Sequence, residues 1–299
     1  MKNKLLSLLL VFGVAAAMLS GCGKDESASA QAEVPVSTEA EAQQGDSDTG
    51  EATISSGSDL IVATNSGIHQ EILERAGEIL EREGINLNID VYEDYIFPNL
   101  VVEAGEADAN YFQHQAYLDD FNLRQDMNLV SVGEVHFEPL GLYPGLKQTL
   151  GDLTEGDIIV IPEDRTNEGR ALKLLENVNL LTLTDDGDGQ WTLSDISENP
   201  YGLKIIPKDA SMIPSQVSNA ALLVINGNYA RDAFYNVKTD SLAYENAESA
   251  ESKPYWNVVA VNAGNEHNEK IEKLIRVLQS DEIKEFINST YDGAAIAED

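Results

Sequence analysis

Alternating strand and helix patterns begin abruptly at Asp59, and they limit the folds open to this chain more than any other feature of its sequence. DLIVAT predicts a buried strand, and IHQEILERAGEILEREG predicts an amphipathic helix that ends at Gly84. INLNIDVYE, which follows, alternates as a second strand does. Apolar residues recur every three or four positions in the helix, as one face of a helix requires. This alternation predicts a parallel α/β sheet with right-handed crossovers.

The pattern restarts after the irregular stretch HFEPLGLYPG, which predicts a second α/β unit. Its strands are predicted in DIIVIPED and YGLKIIP, with the helix TNEGRALKLLENVNLL between them. Two lobes are the most economical arrangement, and the functional place in such a pair is the cleft where strand ends and helix N-termini converge. We predict that the first lobe comprises residues 59–140 and 232–299, and the second lobe residues 141–231.

The N-terminus predicts secretion and lipidation. Lys2 and Lys4 precede an apolar run of 14 residues, Leu5–Met18, which is too short to span a bilayer but suits the core of a signal peptide. The run leads into Leu19-Ser20-Gly21-Cys22, which resembles the bacterial lipoprotein box. Such a box implies a signal peptide at 1–21 and acyl chains on Cys22 that anchor the protein to the extracytoplasmic face of the cell membrane. Cys22 is the only cysteine, so its lipidation leaves no thiol for a disulfide, a nucleophile or a metal site.

Residues 22–58 predict a disordered acidic tether. The stretch has no aromatic residue and few branched aliphatic ones, so it cannot bury enough apolar surface to fold. For roughly 36 residues the root-mean-square span is about 30–35 Å, and repulsion between like charges lengthens it. A tether of this reach lets an anchored domain sample solution and still contact a neighbour in the membrane.

The charge of the chain excludes two classes of partner. It has 52 acidic and 19 basic residues, a formal net charge of −33. Residues 1–58 hold 3 lysines against 8 acids, a net of −5, which leaves −28 on the remaining residues. A body this acidic repels nucleic-acid phosphates and anionic lipid headgroups. We therefore expect no nucleic-acid partner, and a membrane association only through the lipid anchor.

The sequence contains none of the common catalytic or cofactor motifs. It has no G-x-S-x-G, no Walker loop, no G-x-G-x-x-G and no H-E-x-x-H, so we expect neither an enzyme nor a cofactor. Its four histidines are far apart; His114 and His136 can meet in space, but a metal site needs three or four converging ligands. DDGDG at 185–189 lacks the closing glutamate of an EF-hand and is better interpreted as a solvated turn. We therefore predict no metal site.

Several side chains lie where they can bind a small zwitterion. A carboxylate is bound by a bidentate arginine or a helix N-terminus, and Arg170 lies in the first turns of a predicted helix. Asn226 follows a strand and Asn257 lies early in one. Phe112 and His114, two apart in DANYFQH, share one face of a strand and can form a pocket wall. Each has a plain alternative: a surface cation, a turn former or a buried strand end.

Together these segments resemble the NlpA/MetQ family, the lipoprotein substrate-binding proteins of methionine ABC importers. The motifs occur in order over about residues 59–299, and they are DYIFPN, DANYFQHQAYLDDF, HFEPLGLYP, PEDRTNEGRALKLL, VINGNYA and PYWN. The resemblance implies an α/β protein of the type II periplasmic-binding-protein fold, with a ligand cleft between two lobes. It also implies the ligand-binding residues, which are, for the thioether pocket, Tyr95, Phe112 and His114; for the carboxylate, Arg170; and for the α-amino and α-carboxyl groups, Asn226 and Asn257.

The implied function is that of a lipid-anchored receptor that is not an enzyme. L-methionine, or a close derivative, is bound in the cleft and delivered to an ABC permease and its ATPase. The alternatives are a methionine-containing dipeptide or another small amino acid as ligand, a surface lipoprotein with an adhesive or structural role, and a hydrolase or lyase on the same fold. Departures from the family pattern at Asn219, Trp256 and Arg165 leave the side-chain specificity open.

Overall fold

The computed structural model describes residues 58–184 and 190–298. The predicted signal peptide at 1–21, Cys22 and all but the last residue of the predicted tether lie outside these residues, as does the DDGDG run at 185–189. In the described part of the chain, no helix combines the length and the apolar character that crossing a bilayer requires.

Strands and helices alternate from Asp59 onward. The strands are, in chain order, β1 (Asp59–Asn65), β2 (Asn86–Tyr92), β3 (Ala109–His114), β4 (Leu129–Phe137), β5 (Gly141–Pro144), β6 (Ile158–Pro162), β7 (Thr182–Leu183), β8 (Ile196–Glu198), β9 (Lys204–Lys208), β10 (Leu222–Ile225), β11 (Ala243–Tyr244), β12 (Trp256–Asn262) and β13 (Ile296–Ala297). The helices are α1 (Ile68–Arg82), α2 (Phe97–Glu103), α3 (Gln115–Gln125), α4 (Arg165–Asn177), α5 (Gly227–Asp232), α6 (Glu269–Leu278) and α7 (Asp281–Thr290).

Helix α1 is amphipathic, as its sequence predicts. Ile72, Leu73, Ala76 and Leu80 are fully buried, and their spacing places them on one face of the helix. Gly67 precedes the helix with a φ of 76°, in the left-handed region that glycine adopts without strain. The buried face packs on the first sheet, in an apolar core that α1 shares with α6 and α7.

The first sheet has the order β13-β4-β12-β3-β1-β2. β1 pairs in parallel with β2 and β3, as predicted. β12 is antiparallel to β3 and β4, and β13 is antiparallel to β4, so the prediction of a parallel sheet is wrong for these strands. The cause is the path of the chain, which returns to this sheet at the edge where β3 and β4 end. Asn257, near the start of β12, therefore pairs with His114 and His136, near the ends of those two strands.

The second sheet has the order β11-β5-β10-β6-β9, and helix α4 packs on it. β6 is parallel to β9 and β10, whereas β5 is antiparallel to β10 and β11. Gly141, the first residue of β5, pairs with Ile225, the last residue of β10. The carboxyl ends of β6 and β10 therefore lie at the same edge as the start of β5.

Residues 138–140 connect the end of β4 to the start of β5, and so they join the polar edge of the first sheet to that of the second. The strand ends that carry polar side chains thus come together around one short link. The predicted lobe boundaries stay a prediction. Ala243–Tyr244, within the segment assigned to the first lobe, pairs as β11 with the second sheet.

Candidate functional site

A small cavity lies where the strand ends of the two sheets meet. The first sheet contributes the ends of β3 and β4 and the start of β12, and the second contributes helices α4 and α5, which follow β6 and β10. The residues that line the cavity are His69, Tyr95, Phe112, Gln113, His114, Tyr117, Glu138, Asn167, Arg170, Asn226, Gly227, Asn228 and Asn257.

Three aromatic rings form one wall of the cavity. The centroids of Tyr95 and Phe112 are 6.1 Å apart, and that of Tyr117 lies 5.9 Å from Tyr95 and 6.1 Å from Phe112. The two hydroxyls are used within the protein: Tyr117 donates to the carbonyl of Tyr95, and Tyr95 donates to Asn228 Oδ1 over 2.6 Å. Burial raises the pKa of both phenols, so they stay neutral. This wall suits an apolar, polarizable group.

His114 is a fixed, neutral part of the same wall. Its Nδ1 accepts the backbone N–H of Tyr117 over 3.0 Å and caps helix α3, so its proton resides on Nε2, which lies 3.2 Å from Asn167 Oδ1. Burial, and then the charge of Arg170, lower the pKa of His114 to about 3. The imidazole therefore adds no charge to the cavity at neutral pH.

Arg170 is buried, and most of its N–H groups already have partners. Nε and Nη2 donate to the two carboxylate oxygens of Glu245, Nη2 donates also to the carbonyl of Glu138, and Nη1 donates to Asn167 Oδ1 over 3.1 Å. The ring of Tyr255 lies 4.5 Å from the guanidinium carbon. Burial by itself lowers the pKa of Arg170, but the charge of Glu245 raises it above its usual value. Arg170 is thus a permanent cation, and it has few N–H groups left to donate to a ligand.

Glu138 is the buried carboxylate of the cavity lining, and sequence reasoning missed it. Its Oε1 accepts from His136 Nε2 over 2.9 Å, and its Oε2 accepts the backbone N–H of Asn228 over 2.8 Å. His136 is oriented in turn by the hydroxyl of Tyr111. Burial alone would raise the pKa of Glu138, but His69 and these hydrogen bonds lower it below its ordinary range. Glu138 is therefore a carboxylate at neutral pH.

His69 orients Asn257 from the start of α1. Its Nε2 lies 3.0 Å from Asn257 Oδ1, so the neutral imidazole donates to the amide oxygen and leaves the amide nitrogen of Asn257 as a donor. Burial lowers the pKa of His69, although Glu138 opposes this shift. His69 Nδ1 is buried and has no hydrogen-bond partner among the described residues.

Asn226 and Asn228 present polar atoms without partners to the cavity. Among the described residues, nothing hydrogen-bonds to the buried Asn226 Oδ1 or Asn228 Nδ2. An unsatisfied buried polar atom costs about 1–3 kcal/mol, so two in one small cavity indicate a ligand that satisfies them. Asn226 directly follows β10, as predicted, and is the N-cap residue of α5.

His69, His136 and Glu138 also form a cluster whose ligating atoms all lie within 4.8 Å of one another. His136 therefore meets His69, with ring centroids 5.0 Å apart, and His114 lies elsewhere in the cavity. The three groups are already engaged: both His136 nitrogens are hydrogen-bonded, and His69 Nε2 is shared between Asn257 and Glu138. The geometry is that of a hydrogen-bonded relay that orients Glu138 and Asn257.

All six residues expected to bind ligand line this one cavity, and their roles in binding stay a prediction. The residues that sequence reasoning missed are His69, Gln113, Tyr117, Glu138, Asn167 and Asn228. Glu138 and Asn228 lie inside motifs already singled out, HFEPLGLYP and VINGNYA, so the signal was present but pointed to other positions. His69 follows β1 at a loop–helix junction, where nothing in its local pattern distinguishes it.

The comparisons with known proteins agree on one family. The family model described as NlpA lipoprotein matches residues 60–298. The methionine-binding lipoprotein MetQ of Bacillus subtilis is 34% identical over 295 residues, which cover 97% of this chain and 96% of the relative. The D-methionine-binding lipoprotein MetQ of Salmonella typhi is 34% identical over 233 residues, which cover 77% of this chain and 84% of the relative.

Solved structures of similar proteins have the same fold. A lipoprotein of Ruminococcus gnavus is 47% identical, with a TM-score of 0.80 over 81% of this chain and 100% of the other. A nutrient binding protein of Burkholderia cenocepacia, bound to methionine, is 35% identical, with a TM-score of 0.76 over 80% of this chain and 100% of the other. The predicted periplasmic-binding-protein fold is confirmed.

Proposed function

The chain belongs to the NlpA lipoprotein family, as its motifs predict, and on this premise we propose that it binds methionine or a close derivative in the cavity described above and delivers it to an ABC importer. Lipidation of Cys22 holds it at the extracytoplasmic face of the membrane, where it docks on the permease; the ATPase of the same importer hydrolyses ATP elsewhere. It acts by binding and release, without chemical change to the ligand.

One observation supports this proposal most directly: the lining of the cavity offers both acceptors for an ammonium group and donors for a carboxylate. Glu138 and Asn226 Oδ1 can accept from an ammonium. The nitrogens of Arg170, Asn228 and Asn257 can donate to a carboxylate. A free α-amino acid carries both groups on one carbon atom, so it satisfies both sets at once.

The aromatic wall supports a thioether side chain. Phe112, Tyr95 and Tyr117 are neutral rings with their edges and faces close together, and a sulfur atom gains about 0.3–1.5 kcal/mol in each such contact. A charged side chain would lose its hydration there without a compensating partner.

Calorimetry tests the proposal. The full chain is unfolded and refolded to remove carried-over ligand, its fold is checked by circular dichroism, and L-methionine, D-methionine and glycyl-methionine are titrated in turn. We expect heat with at least one of them and none with glutamate. A folded protein that binds none of the three would overturn the proposal.

An arginine pair on one helix makes a matched test of the carboxylate contact. Arg170→Ala removes the buried cation of α4, and Arg165→Ala removes an exposed cation five residues earlier. Only the first is expected to weaken methionine binding. Equal affinity in both variants would remove Arg170 from the site.

The same samples address the other candidate functions. Ligand recovered from an overnight incubation should be chemically intact by mass spectrometry, whereas a hydrolase or lyase would convert it. A purely adhesive or structural lipoprotein would give no saturable heat with any of the ligands.

A further inference from the structure

Glu245 occupies the part of Arg170 that would otherwise pair with a carboxylate. Its Oε1 lies 3.0 Å from Arg170 Nε, and its Oε2 lies against Nη2, so the pair is bidentate and side-on. This is the geometry in which a guanidinium binds a carboxylate most strongly. The protein thus supplies its own carboxylate to the arginine, 75 residues away in sequence.

The count of hydrogen atoms on Arg170 leaves little for a ligand. A guanidinium group has five N–H hydrogens. Two are donated to Glu245, one to the carbonyl of Glu138 and one to Asn167 Oδ1. One N–H on Nη1 remains, so a ligand carboxylate can take a single hydrogen bond from Arg170 and no bidentate pair.

Glu245 cannot move aside easily, because its backbone and side chain are both fixed. It directly follows β11, which is paired with β5, and its N–H donates to the carbonyl of Leu140 over 3.1 Å. The N–H of Leu140 donates in return to Glu245 Oε2 over 2.8 Å. The carboxylate is therefore held by Arg170 and by the link between the two sheets.

The consequence is an asymmetric charge balance in the cavity. Arg170 and Glu245 neutralise each other, whereas Glu138 has hydrogen bonds but no guanidinium or ammonium partner among the described residues. The cavity therefore attracts the ammonium of a ligand by charge and meets its carboxyl end with one arginine N–H and neutral amides.

We infer that Glu245 determines the ligand class by cancelling the charge of Arg170, so that the site takes α-amino compounds whose carboxyl group is neutral, such as amides, as well as free amino acids. This inference rests on the proposed function. It makes Glu245 a specificity-determining residue that acts through Arg170 without contacting the ligand itself.

A thermodynamic cycle of proteins and ligands tests it. L-methionine and L-methioninamide are titrated into the full chain and into Glu245→Gln, which keeps the shape of the side chain and removes its charge. In the unchanged protein we expect dissociation constants within about tenfold of each other, because the carboxylate is not fully paired. In Glu245→Gln the ratio of the dissociation constants for methioninamide and methionine should rise by about tenfold or more, in favour of methionine, because Arg170 then acts as an uncompensated cation.

Glu176→Gln is the matched control. Glu176 lies on helix α4 and, like Glu245, is next to a cation: it pairs with Lys173 over 2.8 Å and accepts a backbone N–H from Leu183, but it does not line the cavity. In Glu176→Gln the ratio of the dissociation constants for methionine and methioninamide should stay within about twofold of that in the unchanged protein. This substitution also removes one negative charge, but it does not touch Arg170.

The outcomes separate the two proposals. If the unchanged protein binds neither compound, the inference about Glu245 fails, and if it also binds neither D-methionine nor glycyl-methionine, the proposed function fails with it. If it binds methionine more than about a hundredfold better than the amide, or if the ratio is the same in Glu245→Gln, the inference about Glu245 is wrong while the function stands. Partial unfolding of a variant scales both affinities alike, so it does not alter the ratio.

Discussion

Replacing Glu138 by glutamine tests the most consequential feature of the cavity. The carboxylate accepts one donor on each oxygen, from His136 Nε2 and from the backbone N–H of Asn228. Glutamine has one acceptor oxygen, so one of these donors must face an NH₂ group instead. We therefore expect two separate effects, one on the unliganded protein and one on binding.

The effect on the unliganded protein comes from the orphaned donor. A buried donor left without its acceptor costs about 1–3 kcal/mol of unfolding free energy. For a domain of this size each kcal/mol lowers the melting temperature by about 2–4 °C, so Glu138→Gln should melt roughly 2–12 °C lower. Calorimetry or circular dichroism measures this directly.

The effect on binding comes from the ligand's ammonium group. Removing one partner of a buried, hydrogen-bonded charge pair costs about 2–5 kcal/mol, so the affinity for methionine should fall by about thirtyfold to several thousandfold. Only ligands that carry the ammonium group should lose affinity. 4-(Methylthio)butanoate, which is methionine without its amino group, should bind Glu138→Gln no more weakly than it binds the unchanged protein.

Glu168→Gln serves as the control for charge alone. Glu168 is half-buried on α4, accepts the backbone N–H of Leu193 over 3.0 Å and does not line the cavity. It should bind methionine normally. If Glu138→Gln also binds methionine within about threefold of the unchanged protein, the ammonium is held elsewhere and the assignment of Glu138 is refuted.

Three further predictions follow from the same geometry. Because the pKa of Glu138 is lowered on folding, its stabilisation is complete above about pH 4.3, the ordinary value for glutamate, and is lost as the pH falls through the lower folded value; melting temperatures from pH 7 to pH 3 check this. Phe112→Leu should weaken methionine more than alanine in paired titrations, because only the thioether reaches the aromatic wall. His69→Ala should lower methionine affinity by about tenfold and His69→Gln should partly restore it, because glutamine can still donate to Asn257; equal loss in both would mean that His69 acts only by packing.

Local pattern predicted much of the fold correctly because the relevant physics is local. Helix α1 and strands β1 and β2 could be predicted from spacing, since burial of one helix face or one strand repeats every few residues. The direction of β12 could not, because it depends on where the chain re-enters the first sheet after the 118 residues from 138 to 255. Strands β5, β11 and β13 are short and were missed for lack of any repeat. The nine-residue strand β4 was not predicted either.

The residues of the cavity were likewise predicted only in part. Motifs that resemble a known family pointed to residues such as Arg170 and Asn226, because whole segments carry that signal. They did not point to Glu138, whose importance comes from its position on the link between the two sheets.

The sequence by itself determined that this is an α/β chain with an N-terminal lipoprotein box, a strongly acidic body and the motifs of one family of binding proteins. Only the tertiary structure decided which side chains contact those motif residues, and therefore their charge and their free hydrogen-bonding groups. His69, Glu138 and Asn257 are brought into contact by sheet order, and Glu245 reaches Arg170 because β11 pairs with β5. The physical reason is that the groups in contact with a buried charge or amide set its charge state and decide which of its hydrogen bonds remain free for a ligand. Here the contacting residues are 69 to 188 residues apart in the chain.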